Sequence, residues 1–467
     1  MDMMVRRSRA AVLLTMCAGM FLVQLDVTVV NVALPTMGAE LGADLPRLQW
    51  IVDGYSVVLA ALLLCGGAVG DVFGHRRVVV AGFAVFGCAS VLCGLAWSAP
   101  VLVGGRVLQG LGAALLLPGT LAVITRTYPE RGEQARALGI WAGVSAVALS
   151  AGPLLGGLLV HAAGWRSLFW LNVPLAACAI AGTTALVRAE GTVPGRRVDV
   201  PGALTAAVAL AAAVYAVIRA GAGEAPWLAG TIAVVAAAGF VAVERRSADP
   251  MLPLGLLRDR RFTGANLVAG AMNFVGLGTI LVATLYLQRV LGSDPLTAGL
   301  RMLPIFAPLA LLAPVTGRLT ARFGPRPPMI AGLALGVVSL LGLLFVRETS
   351  GYPTFLLPMA GLGTAMGLLT AAVVAAAVGA VPPERAGVAS GVNNTARQAA
   401  GALGVAVFGA VVGEPARVGE FVGGVHTLGL FGAALWLAAI GVTAYAIRPV
   451  RETELRGKSA LERHEIS

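Results

Sequence analysis

The sequence predicts an all-α chain that crosses a membrane fourteen times. Three observations carry that prediction. Of 467 residues, 58% are hydrophobic and only 12% charged, about half the charged share of a soluble domain; mean hydropathy is +0.85; and apolar runs of about 20 residues, long enough to span the hydrocarbon core, recur from end to end. Gly (61) and Pro (25) are plentiful but neither periodic nor clustered, which excludes collagen-like and low-complexity chains. A soluble enzyme is excluded by the same numbers. At roughly 22 residues each, fourteen spans take roughly 310 residues, so no connection holds a globular domain.

The first apolar run follows Arg6, Arg7 and Arg9 as in a signal peptide, but it continues through Leu34 with no small-residue cleavage site, so it is a retained span. Runs bounded by charged or Pro/Gly turns then place spans at 10–35, 50–70, 78–96, 100–125, 137–160, 166–187, 201–219, 226–243, 262–287, 297–317, 329–346, 354–379, 389–412 and 426–447. The longest interior connection, 244–261, has eighteen residues, and 448–467 carries charges of both signs and reads as a solvated tail. Pro118, Pro153, Pro304, Pro308, Pro314 and Pro358 lie inside spans and bend them, which a membrane tolerates where neighbours satisfy the freed carbonyls. Cys17, Cys65, Cys88, Cys93 and Cys178 all fall in apolar runs without metal-ligand or loop-pair spacing, and read as small packing residues.

The net charge of +11, with 33 Arg and one Lys, would suggest nucleic acid in a soluble protein. Here topology accounts for it. With the N-terminus inside, 25 basic residues fall on the side of the two termini, 7 on the other, and Arg106 and Arg397 within spans. This asymmetry puts both termini in the cytoplasm and leaves no role for nucleic acid.

Gly67-Ala-Val-Gly-Asp-Val-Phe-Gly-His-Arg76 and Gly317-Arg-Leu-Thr-Ala-Arg-Phe-Gly-Pro-Arg326 match in register at Gly, Phe, Gly and Arg, 250 residues apart. Each loop follows the second span of a six-span block. The chain therefore divides into 1–187, a six-helix half; 188–261, two extra spans with linkers; 262–447, a second six-helix half; and the tail 448–467. Such repeats are the architecture of alternating-access transporters.

Gly67–Arg77, with Asp71 four residues after the first glycine and Gly74 ahead of a basic cluster, resembles the loop 2–3 signature of the major facilitator superfamily. Leu25-Asp26-Val27-Thr28-Val29-Val30-Asn31-Val32-Ala33-Leu34-Pro35 in span 1 resembles the hallmark of its fourteen-span drug/proton antiporter family, as do Arg106–Gly110, Gly152–Gly157, Trp165–Pro174 and Gly387–Gln398. The resemblance covers nearly the whole chain and is strongest to the branch of actinobacterial antibiotic-resistance exporters. It implies a major facilitator fold and proton-coupled efflux of antibiotics or other lipophilic small molecules by alternating access. A proton symporter or a lipid or metabolite exporter would keep the same scaffold, and only the directions of proton and substrate flow separate these. A membrane enzyme or sensor would need a clustered His, Asp or Glu set, or an extramembrane domain, and the sequence has neither. No Gly-x-x-x-x-Gly-Lys-Ser/Thr loop is present, so ATP is not the energy source. The expected partners are a small-molecule substrate, protons and the lipid bilayer, with the chain a monomer and the proton gradient in place of any cofactor or metal.

Asp26 is the most informative residue, because a carboxylate at the hydrocarbon centre costs about 2.5–3.5 kcal/mol on insertion scales and is rare unless paired or functional. It lies roughly 13 Å inside Pro35, and Arg106 roughly 9 Å inside the outer end of span 4, at similar depth. The superfamily fold puts spans 1 and 4 on the same half of the cavity, so the resemblance implies that Asp26 and Arg106 interact in one state and that protonating Asp26 releases Arg106. A static pair that only fixes packing is the alternative. Asp53, three residues into span 2, sits where solvation is cheap; it is either an interfacial aspartate or a second protonatable site. Gln24, Thr28, Asn31 and Pro35 share a helical face opposite Asp26, suited either to interhelical hydrogen bonds or to lining a substrate cavity. Gln109, Asn393, Asn394 and Arg397 are further cavity candidates, with Arg397 placed to meet substrate, span 14 or the cytoplasmic interface.

The resemblance makes Gly67, Asp71, Gly74, Arg76 and Arg77 a conformational gate, Asp71 meeting a helix N-terminus and basic side chains across the two halves. Position 321 is alanine, so the gate lacks its counterpart. In span 5, Gly139, Ala148, Gly152, Pro153, Gly156 and Gly157 match the antiporter motif, with alanine replacing glycine at 148. Small residues at 148, 152 and 156 let a neighbouring helix approach closely, as a hinge between halves or as ordinary packing. With Asp26 and Asp53 the only intramembrane carboxylates of the first half, and Arg397 in the second, the expected substrates are neutral, zwitterionic or anionic.

Overall fold

A computed structural model describes residues 2–188, 198–382, 385–413 and 417–447. Fourteen α-helices follow one another: α1 (Asp2–Leu41), α2 (Leu45–Phe73), α3 (His75–Gly94), α4 (Ala99–Thr127), α5 (Arg131–Ala163), α6 (Arg166–Leu186), α7 (Val200–Gly221), α8 (Trp227–Arg246), α9 (Arg260–Leu285), α10 (Pro295–Phe323), α11 (Arg326–Gly342), α12 (Tyr352–Val378), α13 (Ala386–Val412) and α14 (Val418–Ala446). All fourteen are long and apolar enough to cross a membrane, and there is no strand among the described residues. The tail 448–467, the linker 189–197 and the side chains of Arg6 and Arg7 lie outside the described residues.

Helix starts follow from local chemistry. Asp44 caps α2 by accepting from the Arg47 N–H, Asp199 caps α7 through Gly202 and Asp294 caps α10 through Leu296 and Thr297, each with a proline in the first two positions. An aspartate cap satisfies an orphan N–H, and proline there forfeits no bond. The Thr297 hydroxyl and the backbone N–H groups hold the Asp294 carboxyl below its ordinary range. Asp44 and Asp294 stand 250 residues apart, the offset of the Gly67 and Gly317 loops, so the duplication extends to the caps. It also fixes the loop ends: Gly74 (φ 89°) and Gly324 (φ 79°) close α2 and α10 in a backbone region that favours glycine.

The same helix pairings recur in both blocks. In the first, α2 packs on α4, α3 on α4 and α6, and α1 on α4, α5 and α6; in the second, α10 packs on α12, α11 on α12 and α14, and α9 on α12, α13 and α14. Without a hydrophobic drive in lipid, such contacts depend on small residues and close backbones. A Cβ on Gly110 would come 2.5 Å from the Tyr55 carbonyl oxygen, and one on Gly363 2.1 Å from that of Ile305; these glycines hold equivalent interfaces.

The blocks meet through α5 on α10 and α2 on α13, and α7 covers the second seam by packing on both of its helices. Val214 and Ile218 of α7 bury against Val57, Ala402 and Ala406. α7 and α8 otherwise remain peripheral, with few buried residues. Hydrogen bonds tie the blocks toward the face that bears the α1–α2 loop: Gln288 and Arg289 donate to the carbonyls of Val32 and Pro35, Gln49 to those of Val405 and Ala406, and Ser150 to that of Phe306. Cys17, Cys65 and Cys93 are buried, whereas Cys88 and Cys178 are exposed, because their positions on α3 and α6 turn away from the bundle; packing is not the role of those two.

Candidate functional site

Helix α1 is buried on nearly every side from Leu22 to Pro35, so its polar residues must find partners inside the protein. Asp26 finds Arg106 of α4: the guanidinium Nη1 donates to Asp26 Oδ2, and both side chains are 1% exposed. Arg106 is held on its other sides as well. Its Nη1 donates to Gln109 Oε1 at 2.8 Å and its Nε to the Ile51 carbonyl at 2.9 Å, and its Cζ lies 4.5 Å from the centre of the Tyr55 ring. Gln109 in turn donates to Ser90 Oγ at 2.8 Å, and the Tyr55 hydroxyl donates to the Val23 carbonyl at 3.0 Å. The result is a network across α1, α2, α3 and α4 that fixes the cation more tightly than the anion. Asp26 Oδ1 has no hydrogen-bond partner, and Asn172 of α6 faces that carboxyl. A buried pair of this kind is costly to break from one side, about 3–5 kcal/mol.

Asp53 departs from the sequence reading. α2 begins at Leu45, five residues earlier than the apolar run indicates, because Asp44 and Pro46 start the helix ahead of it. Asp53 therefore lies about 12 Å from the start of its helix, is fully buried, and neither carboxyl oxygen has a partner. Protein, not water, surrounds it, so the cheap solvation expected of it is missing.

Gln24 donates to Ser145 Oγ and Thr28 to the Leu149 carbonyl, so the polar face of α1 meets α5. Asn31 donates to the Val27 carbonyl of its own helix, and Pro35 supplies the carbonyl that Arg289 binds. Between the two uses left open for this face, the described contacts of Gln24 and Thr28 are interhelical. The glycines of α5 complete the seam. A Cβ on Gly152 would fall 1.9 Å from Thr28 Oγ1 and one on Gly156 2.9 Å from the Val29 carbonyl oxygen. Ala148 is buried beside them. This stripe thus packs within the first block, and the seam between blocks belongs to its neighbours: a Cβ on Gly157 would meet the Pro295 carbonyl oxygen at 2.6 Å, while the Pro153 carbonyl oxygen lies 2.3 Å from where Gly299 would carry one. The two sets lie on adjacent faces because a one-residue step turns a helix by 100°. A Cβ on Gly139 would meet no described atom within 4 Å, so no close helix contact requires glycine there.

At the gate loop, Asp71 Oδ1 pairs with His75 Nε2 at 3.1 Å, within one turn across the α2–α3 corner. Gly70 makes room for the ring, since a Cβ there would sit 2.3 Å from His75 Nδ1. Arg76 donates to the Thr184 carbonyl of α6, Arg77 is exposed, and a Cβ on Gly67 would meet Pro118 at 3.8 Å. In the second block Arg397 donates to Asn273 of α9 at 3.2 Å, not to α14, because its helix pairs along its length with α9. Asn393 donates to Asn266 at 3.1 Å, and Asn394 is half-buried on the adjoining turn. Tyr55, Ser90, Asn266 and Asn273 join these networks without belonging to any motif named above, and Asn172 stands within Trp165–Pro174 without an assigned role. Their signal is modest but present: polar side chains inside apolar spans, where each needs a partner.

Another network closes the opposite end of the first block. Glu40 accepts from Trp165 Nε1 at 2.7 Å and pairs with Arg166, which also donates to the Ala96 carbonyl. Among the described residues no group of three or more His, Cys, Asp or Glu is placed to hold a metal.

The family model described as Major Facilitator Superfamily matches residues 16–405. Multidrug resistance protein Stp of Mycobacterium tuberculosis is 36% identical over 415 residues, which cover 87% of this chain and 76% of that protein. The tetracenomycin C resistance and export protein of Streptomyces glaucescens is 36% identical over 417 residues, covering 87% and 76%. Among solved structures, a bacterial homologue of the human drug peptide transporters PepT1 and PepT2 superposes with a TM-score of 0.62 at 14% identity, over 94% of this chain and 97% of that one. At that identity the likeness concerns the fold alone.

Proposed function

This multi-pass membrane chain belongs to the Major Facilitator Superfamily, and from that premise we propose that it expels antibiotics or other lipophilic small molecules across the cytoplasmic membrane, driven by inward proton movement. The relatives named for resistance and export support efflux. The observation that carries the proton step is the buried Asp26–Arg106 pair.

In this reading Asp26 is the proton carrier. Ionised, it answers the Arg106 charge; protonated, it leaves a guanidinium that Gln109, Ile51 and Tyr55 still hold in place but that lacks its counter-ion. That difference in free energy shifts the balance between two packings of the blocks. Residues 1–187 and 262–447 move as the two bodies, about the seams of α5 on α10 and α2 on α13, with 188–261 riding on the second seam. Asp53 is a second carboxyl able to carry a proton, and the loop Gly67–Arg77 latches one of the two states. The termini face the cytoplasm, the chain works as a monomer, and the proton gradient takes the place of a cofactor. Each proton moved is worth about 2.3 kcal/mol per 100 mV, enough for a roughly 40-fold substrate gradient.

The test is drug tolerance in an efflux-deficient host. Cells making the wild-type chain should tolerate more tetracenomycin C, and a protonophore or Asp26→Asn should abolish the gain. Tolerance that survives both would overturn the proton step.

A further inference from the structure

Away from the membrane-centre networks, two buried carboxyls converge where α7 begins and α8 ends. Asp199 is 8% exposed and Glu244 4%. Each spends one oxygen on the backbone: Asp199 Oδ1 accepts from the Gly202 N–H at 2.9 Å, and Glu244 Oε2 from that of Leu252 at 3.0 Å. The other two oxygens, Asp199 Oδ2 and Glu244 Oε1, have no hydrogen-bond partner. They point at one spot. A Cβ on Gly202 would lie 2.8 Å from the first and 2.9 Å from the second, so the two oxygens are within about 6 Å of each other.

Two ionised carboxylates within about 6 Å of each other would repel and leave both orphan oxygens unsatisfied, a cost that falls when the pair takes up one proton and closes on it. Among the described residues no other group hydrogen-bonds these two oxygens. From α2, the Cys65 thiol faces the pair, its sulfur 3.7 Å from the Asp199 carbonyl oxygen and 3.6 Å from Met251 Sδ. Arg246, Ser247 and Asp249 line the 450 Å³ cavity that Asp199 opens onto, and none of them hydrogen-bonds Asp199 Oδ2 or Glu244 Oε1. Glycine at 202 is what leaves the spot free.

We infer that Asp199 and Glu244 form a proton-binding site in which one proton is held between Oδ2 and Oε1. The bound proton clamps the N-cap of α7 to the end of α8 and to the 251–252 turn that leads into the second block. Loss of the proton loosens that junction. The inference does not depend on the transport reading.

Infrared spectra of the purified full chain at neutral pH provide the test, read at the carbonyl stretch of a protonated carboxylic acid. The double variant Asp199→Asn/Glu244→Gln should lack one acid band that the wild type carries. An unchanged band pattern means that both carboxyls are ionised and overturns the inference. Thermal unfolding of Glu244→Gln alone gives an independent reading, because its amide donates permanently where the proton donates conditionally. A proton held in the folded chain and released on unfolding contributes stability at low pH that is lost as pH rises, so the wild-type melting temperature should fall from pH 6 to 9 more steeply than that of Glu244→Gln. Equal slopes would contradict the inference, as would a wild-type-specific rise in melting temperature on adding calcium or sodium, which would identify a metal ion as the ligand.

Discussion

The two six-helix blocks share a packing plan and bury different chemistry. In the first, α1 and α4 meet over an aspartate and an arginine, with Gln109, Ser90, Tyr55 and the Ile51 carbonyl around the cation. In the second, α9 and α13 meet over neutral amides, Asn273 against Arg397 and Asn266 against Asn393. The duplicated loops repeat the contrast: Gly74 and Gly324 both take a positive φ, but Asp71 and His75 pair at the first while the second has Ala321 and Pro325 in their places. Close-packed backbone geometry is a requirement of the fold and is kept in both copies. Ionisable groups are costly in a membrane, and among the described residues of the two blocks the buried carboxyls, Asp26 and Asp53, lie in the first.

The sharpest way to break that comparison is to remove the two arginines in turn. Arg106→Ala leaves Asp26 buried without a partner and should cost about 3–5 kcal/mol. Arg397→Ala forfeits a hydrogen bond to a neutral amide and leaves no charge unpaired, so it should cost less, about 1–3 kcal/mol. Thermal unfolding of both variants in one detergent checks the ranking, and equal losses would mean that the blocks are not specialised as described.

Gly157→Ala comes next. Its Cβ meets the Pro295 carbonyl oxygen at 2.6 Å and Leu296 Cα at 2.8 Å, backbone that cannot swing aside, so the seam between blocks must open. Overpacking of this kind costs about 1–3 kcal/mol, and efflux should slow along with the melting temperature. Asp71→Asn should cost less, from a few tenths to about 1 kcal/mol, since its pair with His75 is partly solvated; a transport assay that shows a larger loss than the unfolding curve would assign the residue to the gate. Gly139→Ala should be the smallest, within about 0.5 kcal/mol of wild type, because open space surrounds it. A large effect there would give Gly139 a role in a second packing of the blocks.

The all-α class and the fourteen helices were legible in the sequence, because apolar length is a local property; so was a similar depth for Asp26 and Arg106, which is compatible with the contact they make. Partner choice was not. The stripe Ala148, Gly152 and Gly156 is readable as a close-packing face, yet which helix it receives depends on tertiary arrangement, and it receives α1. Asp53 was misplaced because hydropathy marks where apolar residues begin, whereas the helix begins at its Asp44 cap. Arg397 found Asn273 across 124 residues of sequence, a contact with no local signature. The carboxyl pair Asp199 and Glu244 lay in what reads as linker and helix end, and only folding brings the two together.

The central claim is that Asp26 carries the proton that drives export. Its most direct test is substrate-induced proton release in proteoliposomes holding wild type or Asp26→Asn, with a pH-sensitive dye inside and tetracenomycin C added under an imposed pH gradient. The account predicts a proton signal that depends on substrate in the wild type and is absent in Asp26→Asn. A substrate-dependent signal of undiminished size in Asp26→Asn would contradict it and move the coupled carboxyl elsewhere, with Asp53 the next residue to replace.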